Sequence, residues 1–240
     1  MIPVLVDTSV LNHALAVRGE WQSIGPRKWG NFEFEAGGIV SARRDIPIRL
    51  RKGGAQAAAI GALRNEFNAK RLSYHSTDAL LIERLVLKLG ANYGDVNLFG
   101  DVVCDVRHQT LPELVFSLPD DDPMHLLRLC LEGMRCEPYS TYLAALQRAG
   151  ASTGKVTQDA WHLHSAQTCG SRYFLTCDTS LKGMVASISD KSLRGTLQKL
   201  VKLPTELCAE LGIEVLSREA FDELMSQLDA RPHFVSSGEP

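Results

Sequence analysis

The sequence contains no apolar run that approaches the roughly 20 residues of a membrane-spanning helix. Its longer apolar runs, such as 79–82 and 85–87, are far shorter. It begins without a basic region or a small-residue cleavage site, so no secretion signal is expected. Its six cysteines include no Cys-x-x-Cys pair and no zinc-finger spacing. We therefore expect reduced thiols in a cytoplasmic protein without a membrane segment.

Two motifs of well-known enzyme classes are also missing. The chain has no Gly-x-x-x-x-Gly-Lys-Ser/Thr sequence, which argues against a P-loop nucleotide hydrolase. It has no Gly-x-Ser-x-Gly sequence, which argues against a serine hydrolase of the nucleophile-elbow type. An aspartyl-phosphate hydrolase usually needs a second acid two residues after the first, and Ser9 occupies that place after Asp7.

The composition is that of a folded protein, and its charge is unevenly distributed. Among 240 residues, 45% are hydrophobic and 22% are charged, which excludes a collagen-like or wholly disordered chain. A net charge of −2 excludes a globally basic nucleic-acid binder. Residues 18–71 nevertheless hold 11 lysines and arginines against 5 acids, whereas residues 101–137 hold 8 acids against 3 bases.

The basic segment is a candidate contact for nucleic-acid phosphates, because phosphate binding needs a local patch more than a high isoelectric point. The candidate binding residues are Arg43, Arg44, Arg49, Arg51 and Lys52. The alternative is a solvated face on an inserted loop.

Strands and helices alternate along the predicted secondary structure. We predict strands at 4–6, 71–76, 173–176 and 213–216, with a further candidate at 102–106. We predict helices at 10–18, 55–70, 79–89, 124–134, 139–149, 158–169 and 218–228, with shorter candidates at 181–186 and 192–200. This alternation is typical of an α/β protein with a mainly parallel sheet. Ligands of such sheets bind beyond the carboxyl ends of the strands.

Four acidic residues fall at that edge. Asp7 and Asp178 each follow an apolar strand, Glu83 lies in the helix after the second strand, and Asp159 lies in the first turn of a helix predicted from residue 158. If the strands are parallel neighbours, these carboxylates can converge, and a cation is then needed to offset their repulsion. Oxygen ligands suit Mg²⁺ or Mn²⁺.

Each acid also has a purely structural interpretation. Asp7 can cap a helix, Glu83 can be a surface helix charge, Asp159 can be favoured by the helix dipole, and Asp178 can be a turn residue. A shared site better explains why two of them end apolar strands in the same manner.

Two histidines lie close to Asp159 in the sequence. His162 and His164 are two residues apart, which places them about 200° apart around a helix. We therefore do not expect them to bind one metal together, and we expect His162 either near the site or in solvent.

Parts of the sequence resemble the PIN-domain family. The run VLVDTSVL at 4–11 is similar to that family's first strand and turn, and residues 159–166 with 174–178 are similar to its second half. Residues 76–83 resemble the strand, turn and helix that carry the second acid, and residues 212–221 resemble the last strand and helix. These segments cover about half of the chain.

The resemblance implies a three-layer α/β/α sandwich and a metal-dependent nuclease, commonly an endoribonuclease that hydrolyses RNA. The family roles carry over to Asp7, Glu83, Asp159 and Asp178 as carboxylates that bind Mg²⁺ or Mn²⁺ directly or through water. Glu66 or Asp78 could replace Glu83 as the second acid. Two residues match polar positions beside the acids and are candidate supporting donors: Ser9 and Thr176.

The family also includes toxins of bacterial toxin–antitoxin pairs, so an antitoxin protein and a second copy of the chain are candidate partners. The acidic stretch 101–137 is a candidate docking surface. We expect one domain over 1–228, with insertions at about 19–70 and 91–150 and a flexible tail at 229–240. The alternative function is an inactive PIN-like module that binds RNA or protein.

Overall fold

A computed structural model describes residues 1–43, 54–86, 96–99, 102–107, 123–150 and 153–229. Within these residues the strands are β1 (Ile2–Val6), β2 (Leu15–Trp29), β3 (Phe32–Arg43), β4 (Leu72–Thr77), β5 (Val96–Asn97), β6 (Cys104–Arg107), β7 (Tyr173–Leu175) and β8 (Val201–Lys202). The helices are α1 (Thr8–Ala14), α2 (Gly54–Asn68), α3 (Asp78–Val86), α4 (Pro123–Gly133), α5 (Tyr139–Arg148), α6 (Thr153–Thr168), α7 (Thr179–Ala186), α8 (Lys191–Leu200), α9 (Pro204–Leu211) and α10 (Arg218–Asp229). No helix in this part of the chain is long and apolar enough to cross a membrane.

Five strands form a parallel sheet in the order β6-β4-β1-β7-β8. Strand β1 is central and pairs with β4 on one side and with β7 on the other. Its residues Val4, Leu5 and Val6 are almost completely buried. Because successive side chains of a strand point to opposite faces, a strand that is apolar at every position must be covered on both faces.

Helices cover both faces of this sheet. Val4 and Val6 pack in one core cluster with residues of α1, α2, α9 and α10. Leu5 packs in a second cluster with residues of helices α3 to α8. The predicted α/β class with a parallel sheet is therefore confirmed, and the layers are those of an α/β/α arrangement.

A long antiparallel hairpin, β2–β3, occupies much of the first predicted insertion. The helix predicted over 10–18 ends at Ala14, and Leu15 begins β2. Leu15 and Val17 pair with β5, so tertiary pairing takes over where the helix was expected to continue. At the tip, Gly30 has a φ of +60°, the conformation that the first central residue of a two-residue hairpin turn requires.

Two further predicted elements differ from the structure. Residues 213–216 are not a strand, and β8 forms the sheet edge beside β7 instead. The apolar residues of 213–216 pack against the core, and Leu216 fills the space beside Gly61 in α2, where an added Cβ would lie 2.7 Å from it. Helix α6 begins at Thr153 rather than at residue 158, because Val156 is buried on its apolar face. Asp159 is therefore not in the first turn.

Some predicted features lie outside the described residues. Arg43 ends β3 but its side chain is not described, and the other four basic candidates fall in the undescribed segment 44–53. Residues 108–122, which belong to the acidic stretch 101–137, and the tail beyond Asp229 are also outside the described part.

Candidate metal centre

Asp7 lies where β1 ends and α1 begins. Its amide donates to Leu175 O (2.9 Å) in β7, and its carbonyl accepts from Val10 N (3.0 Å) at the start of α1. The backbone of Asp7 thus bonds to β7 and to the start of α1. Its buried carboxylate accepts hydrogen bonds from hydroxyl groups. Oδ2 accepts from Ser9 Oγ (2.5 Å) and from Thr176 Oγ1 (2.7 Å).

The two hydroxyls that hold Asp7 are themselves held by the backbone. Ser9 Oγ accepts from Cys177 N (2.9 Å), and Thr176 Oγ1 accepts from Asp178 N (3.0 Å). Each hydroxyl proton is thereby directed to the carboxylate, since the oxygen lone pairs face the amides. The structure places both predicted supporting donors against Asp7 and fixes the orientation of its carboxylate.

Glu83 reaches the same position from α3, on the other side of β1. It is 7% exposed, and its Oε2 accepts from Thr8 Oγ1 (3.0 Å). The same hydroxyl lies 3.3 Å from Asp7 Oδ1, so Thr8 stands between the two carboxylates. Glu66, which the sequence left as a possible replacement for Glu83, instead forms a two-point ion pair with Arg71.

His162 completes the cluster. Its Nε2 lies 2.7 Å from Glu83 Oε1. Burial alone would lower the pKa of His162, but the charge and hydrogen bond of Glu83, with the charges of Asp7 and Asp159, outweigh burial and raise that pKa to about 9. Asp7, Glu83 and His162 each offer one ligand atom within 4.8 Å of the others, so the group can hold a metal ion.

Asp159 lies beside this group on the same helix as His162. The two are three residues apart in α6 and share a face. Asp159 is 5% exposed, and its Oδ2 has no hydrogen-bond partner among the described residues. Burial, opposed by Lys155 and His162 but reinforced by Asp7 and Glu83, raises its pKa to about 6. A buried carboxylate oxygen without a hydrogen-bond partner is suited to binding a cation.

Asp178, the predicted fourth ligand, is occupied elsewhere. Its Oδ1 accepts from Ser180 N (2.8 Å) and Leu181 N (3.2 Å), which makes it the N-cap of α7. Its Oδ2 pairs with Nζ of Lys155, a residue one turn before Asp159 in α6. Asp178 is not one of the three residues of the metal-compatible group.

Sequence reasoning did not assign His162 as a ligand, although it placed this residue either near the site or in solvent. It did not single out Lys155. The available signal was spacing: 155, 159 and 162 are separated by four and three residues, which places them on one helix face.

Asp178→Asn separates the capping role from metal ligation. We expect its affinity for Mn²⁺ to stay within about threefold of the wild-type value and its free energy of unfolding to fall by less than about 1 kcal/mol, since Asn caps as well as Asp and the lost ion pair is half-exposed. Isothermal titration and urea unfolding measure the two quantities. The control is Asp190→Asn, which caps α8 through Ser192 N and Leu193 N. A tenfold loss of metal affinity confined to Asp178→Asn would contradict this assignment.

Comparison with family models, with curated proteins and with solved structures finds no match to this chain. The similarity to the PIN-domain family therefore stays a prediction based on residues of the sequence.

Proposed function

We propose that this protein is a divalent-metal-dependent endoribonuclease with a PIN-like fold. The observation that carries the proposal is the convergence of Asp7, Glu83 and His162, with Asp159 beside them, at the carboxyl ends of the central parallel strands. Acidic groups are rarely buried together unless a cation or a chemical task requires them. The toxin role and an antitoxin partner stay predictions from the resemblance.

The donor set fits a hard or borderline divalent cation such as Mg²⁺ or Mn²⁺. Asp7 and Glu83 offer carboxylate oxygens, and Asp159 adds an oxygen without a hydrogen-bond partner. A divalent ion bound there would polarise a phosphodiester oxygen and lower the pKa of a bound water.

The protein's own groups have distinct tasks in this scheme. Ser9 and Thr176 hold Asp7 in one orientation, which removes the cost of ordering it during the reaction. Asp159 Oδ2, which has no hydrogen-bond partner among the described residues, would bind the ion or hold a water on it. The Lys155 side chain is 56% exposed at the rim and offers an ammonium group to a substrate phosphate.

The β2–β3 hairpin supports RNA as the substrate. Trp29 and Phe32 are each 80% exposed and Phe34 is 47% exposed. The strand register places these rings on one face of the ribbon together with Arg27, while Glu33 and Glu35 lie on the opposite face. Exposed rings beside a cation form a stacking surface for unpaired bases.

A cleavage assay tests the proposed function. Purified protein is incubated with structured RNA, unstructured RNA and single-stranded DNA, each with Mg²⁺, Mn²⁺ or EDTA. We expect internal cleavage of RNA with a divalent ion and none with EDTA. Cleavage that persists in EDTA, or a lack of cleavage with every ion, would overturn the proposal.

Removal of the exposed rings tests the hairpin separately from the metal centre. We expect the double variant Trp29→Ala/Phe32→Ala to bind unstructured RNA about 10-fold or more weakly, because stacking contributes about 1–3 kcal/mol per base. Fluorescence anisotropy with labelled RNA measures the affinity. The control is Ile24→Ala, an exposed apolar residue at the irregularity of β2. Equal affinities of the double variant and the control would remove the hairpin from RNA binding.

A further inference from the structure

We propose that His162 supplies a nitrogen ligand that makes this centre bind Mn²⁺ in preference to Mg²⁺. The inference rests on the proposed function, since it concerns the ion held by the same site. It departs from the all-carboxylate site expected from the sequence, because the group with ligand atoms within 4.8 Å of one another contains an imidazole and not Asp178.

The position of the His162 ring supports a ligand role. The residue is 4% exposed, and its Nε2 is the atom directed toward Glu83. The ring stacks on Phe174 of β7, with the ring centroids 6.1 Å apart. Its Nδ1 is buried and has no hydrogen-bond partner among the described residues. The packing thus presents one nitrogen to the carboxylates and keeps the other away from water.

The chemistry of the donors gives the direction of the preference. Mg²⁺ prefers oxygen ligands and retains its waters, whereas Mn²⁺ accepts both carboxylate oxygen and imidazole nitrogen. Divalent ions from Fe²⁺ to Cu²⁺ bind mixed oxygen and nitrogen sites more tightly than Mn²⁺ does. Mn²⁺ therefore gives the smallest expected difference from Mg²⁺ among these ions. Replacing one carboxylate by one imidazole therefore moves the site away from Mg²⁺.

The competing arrangement keeps His162 as a hydrogen-bond partner of Glu83 that does not touch the ion. In that arrangement the histidine orients a carboxylate. Removing the histidine then lowers the binding affinity for every divalent ion to a similar degree. The two arrangements differ in two measurable respects: the ratio of Mn²⁺ to Mg²⁺ affinity, and magnetic coupling between bound Mn²⁺ and a ring nitrogen.

The test measures metal binding by the RNA-free protein, so it does not depend on cleavage. Isothermal titration gives the affinities of the wild type, His162→Ala and His164→Ala for Mn²⁺ and for Mg²⁺. Pulsed electron paramagnetic resonance detects nitrogen coupling to bound Mn²⁺. His164 is the matched control because it is two residues away in α6, is buried, and also has an Nδ1 without a hydrogen-bond partner in the described part of the chain.

We expect the wild type to bind Mn²⁺ at least about tenfold more tightly than Mg²⁺ and to show nitrogen coupling. His162→Ala should weaken Mn²⁺ binding by about 10- to 100-fold, leave Mg²⁺ binding within about threefold, and abolish the coupling. His164→Ala should retain the coupling and the Mn²⁺ preference.

The inference would be overturned if the wild type bound Mn²⁺ without nitrogen coupling. It would also be overturned if His162→Ala lost affinity for Mn²⁺ and for Mg²⁺ to the same degree. Either result would leave the nuclease proposal standing. Failure of the wild type to bind any divalent ion would overturn both. The coupling measurement on the wild type needs no variant, so the inference stays testable if His162→Ala does not fold.

Discussion

Asp7→Asn is expected to lower the rate of metal-dependent RNA cleavage by at least about 10³-fold, which corresponds to roughly 4 kcal/mol of lost transition-state stabilisation. The substitution removes one charge from the three carboxylates and keeps the shape of the side chain. An amide oxygen at the place of Oδ2 still accepts from Ser9 and Thr176, so the local structure is retained. Single-turnover cleavage and titration with Mn²⁺ measure the two consequences, slower cleavage and weaker metal binding.

The matched control is Asp105→Asn. Asp105 lies in β6 of the same sheet, is half-exposed, and pairs with Arg107 at 2.5 Å. We expect this variant to cleave RNA at the wild-type rate, because its carboxylate is not part of the buried group. Wild-type activity in a folded Asp7→Asn variant would remove Asp7 from the reaction, and equal losses in both variants would point to a general loss of stability.

The parallel sheet could be predicted because its central strand carries a strong local signal. Residues 4–6 are apolar at every position, and Asp7 and Thr8 mark the turn into α1. The prediction of a strand at 213–216 was wrong because the apolar residues of this segment pack against the core without strand pairing, with Leu216 next to Gly61 of α2. The edge strand β8 has two residues, which is too short for any periodicity.

The long hairpin was only partly predictable, for a related reason. Alternation of apolar and polar residues appears in a strand when one of its faces is covered by a core. The described tip of β2–β3 exposes Trp29 on one face and Lys28 on the other. Neither face has to be apolar, so the segment shows weak periodicity even though it forms two long strands.

The candidate site could be predicted where the order of the parallel strands brings distant segments together, and was less predictable where a residue also suits a local role or depends on helix packing. Asp7, Glu83 and Asp159 come together as the predicted topology requires. Asp178 follows β7 as expected, but an aspartate just before a helix is equally suited to capping, and the structure has it capping α7. His162 depends on which face of α6 meets β1, and that is decided by packing between distant segments.

Asp159→Asn is expected to stabilise the metal-free protein by about 1–3 kcal/mol at pH 8, where the carboxyl is ionised. The wild-type carboxylate is buried near Asp7 and Glu83, and its Oδ2 has no hydrogen-bond partner among the described residues. The amide removes one like charge and adds N–H donors among acceptors. Urea unfolding in EDTA measures the difference in unfolding free energy.

With saturating Mn²⁺, the wild type should become more stable than Asp159→Asn. An ion at about 1,000 times its dissociation constant stabilises the wild type by about 4.1 kcal/mol, whereas a variant that binds the ion about 1,000-fold more weakly gains only about 0.4 kcal/mol. Asp222→Asn, at an exposed ion pair with Arg218, should change stability by less than about 0.5 kcal/mol under both conditions. If Asp159→Asn were less stable than the wild type in EDTA, or remained more stable in Mn²⁺, Asp159 would be a structural acid rather than one kept for the ion. A reversal would show that the buried charge lowers the stability of the empty fold and raises that of the metal-bound one.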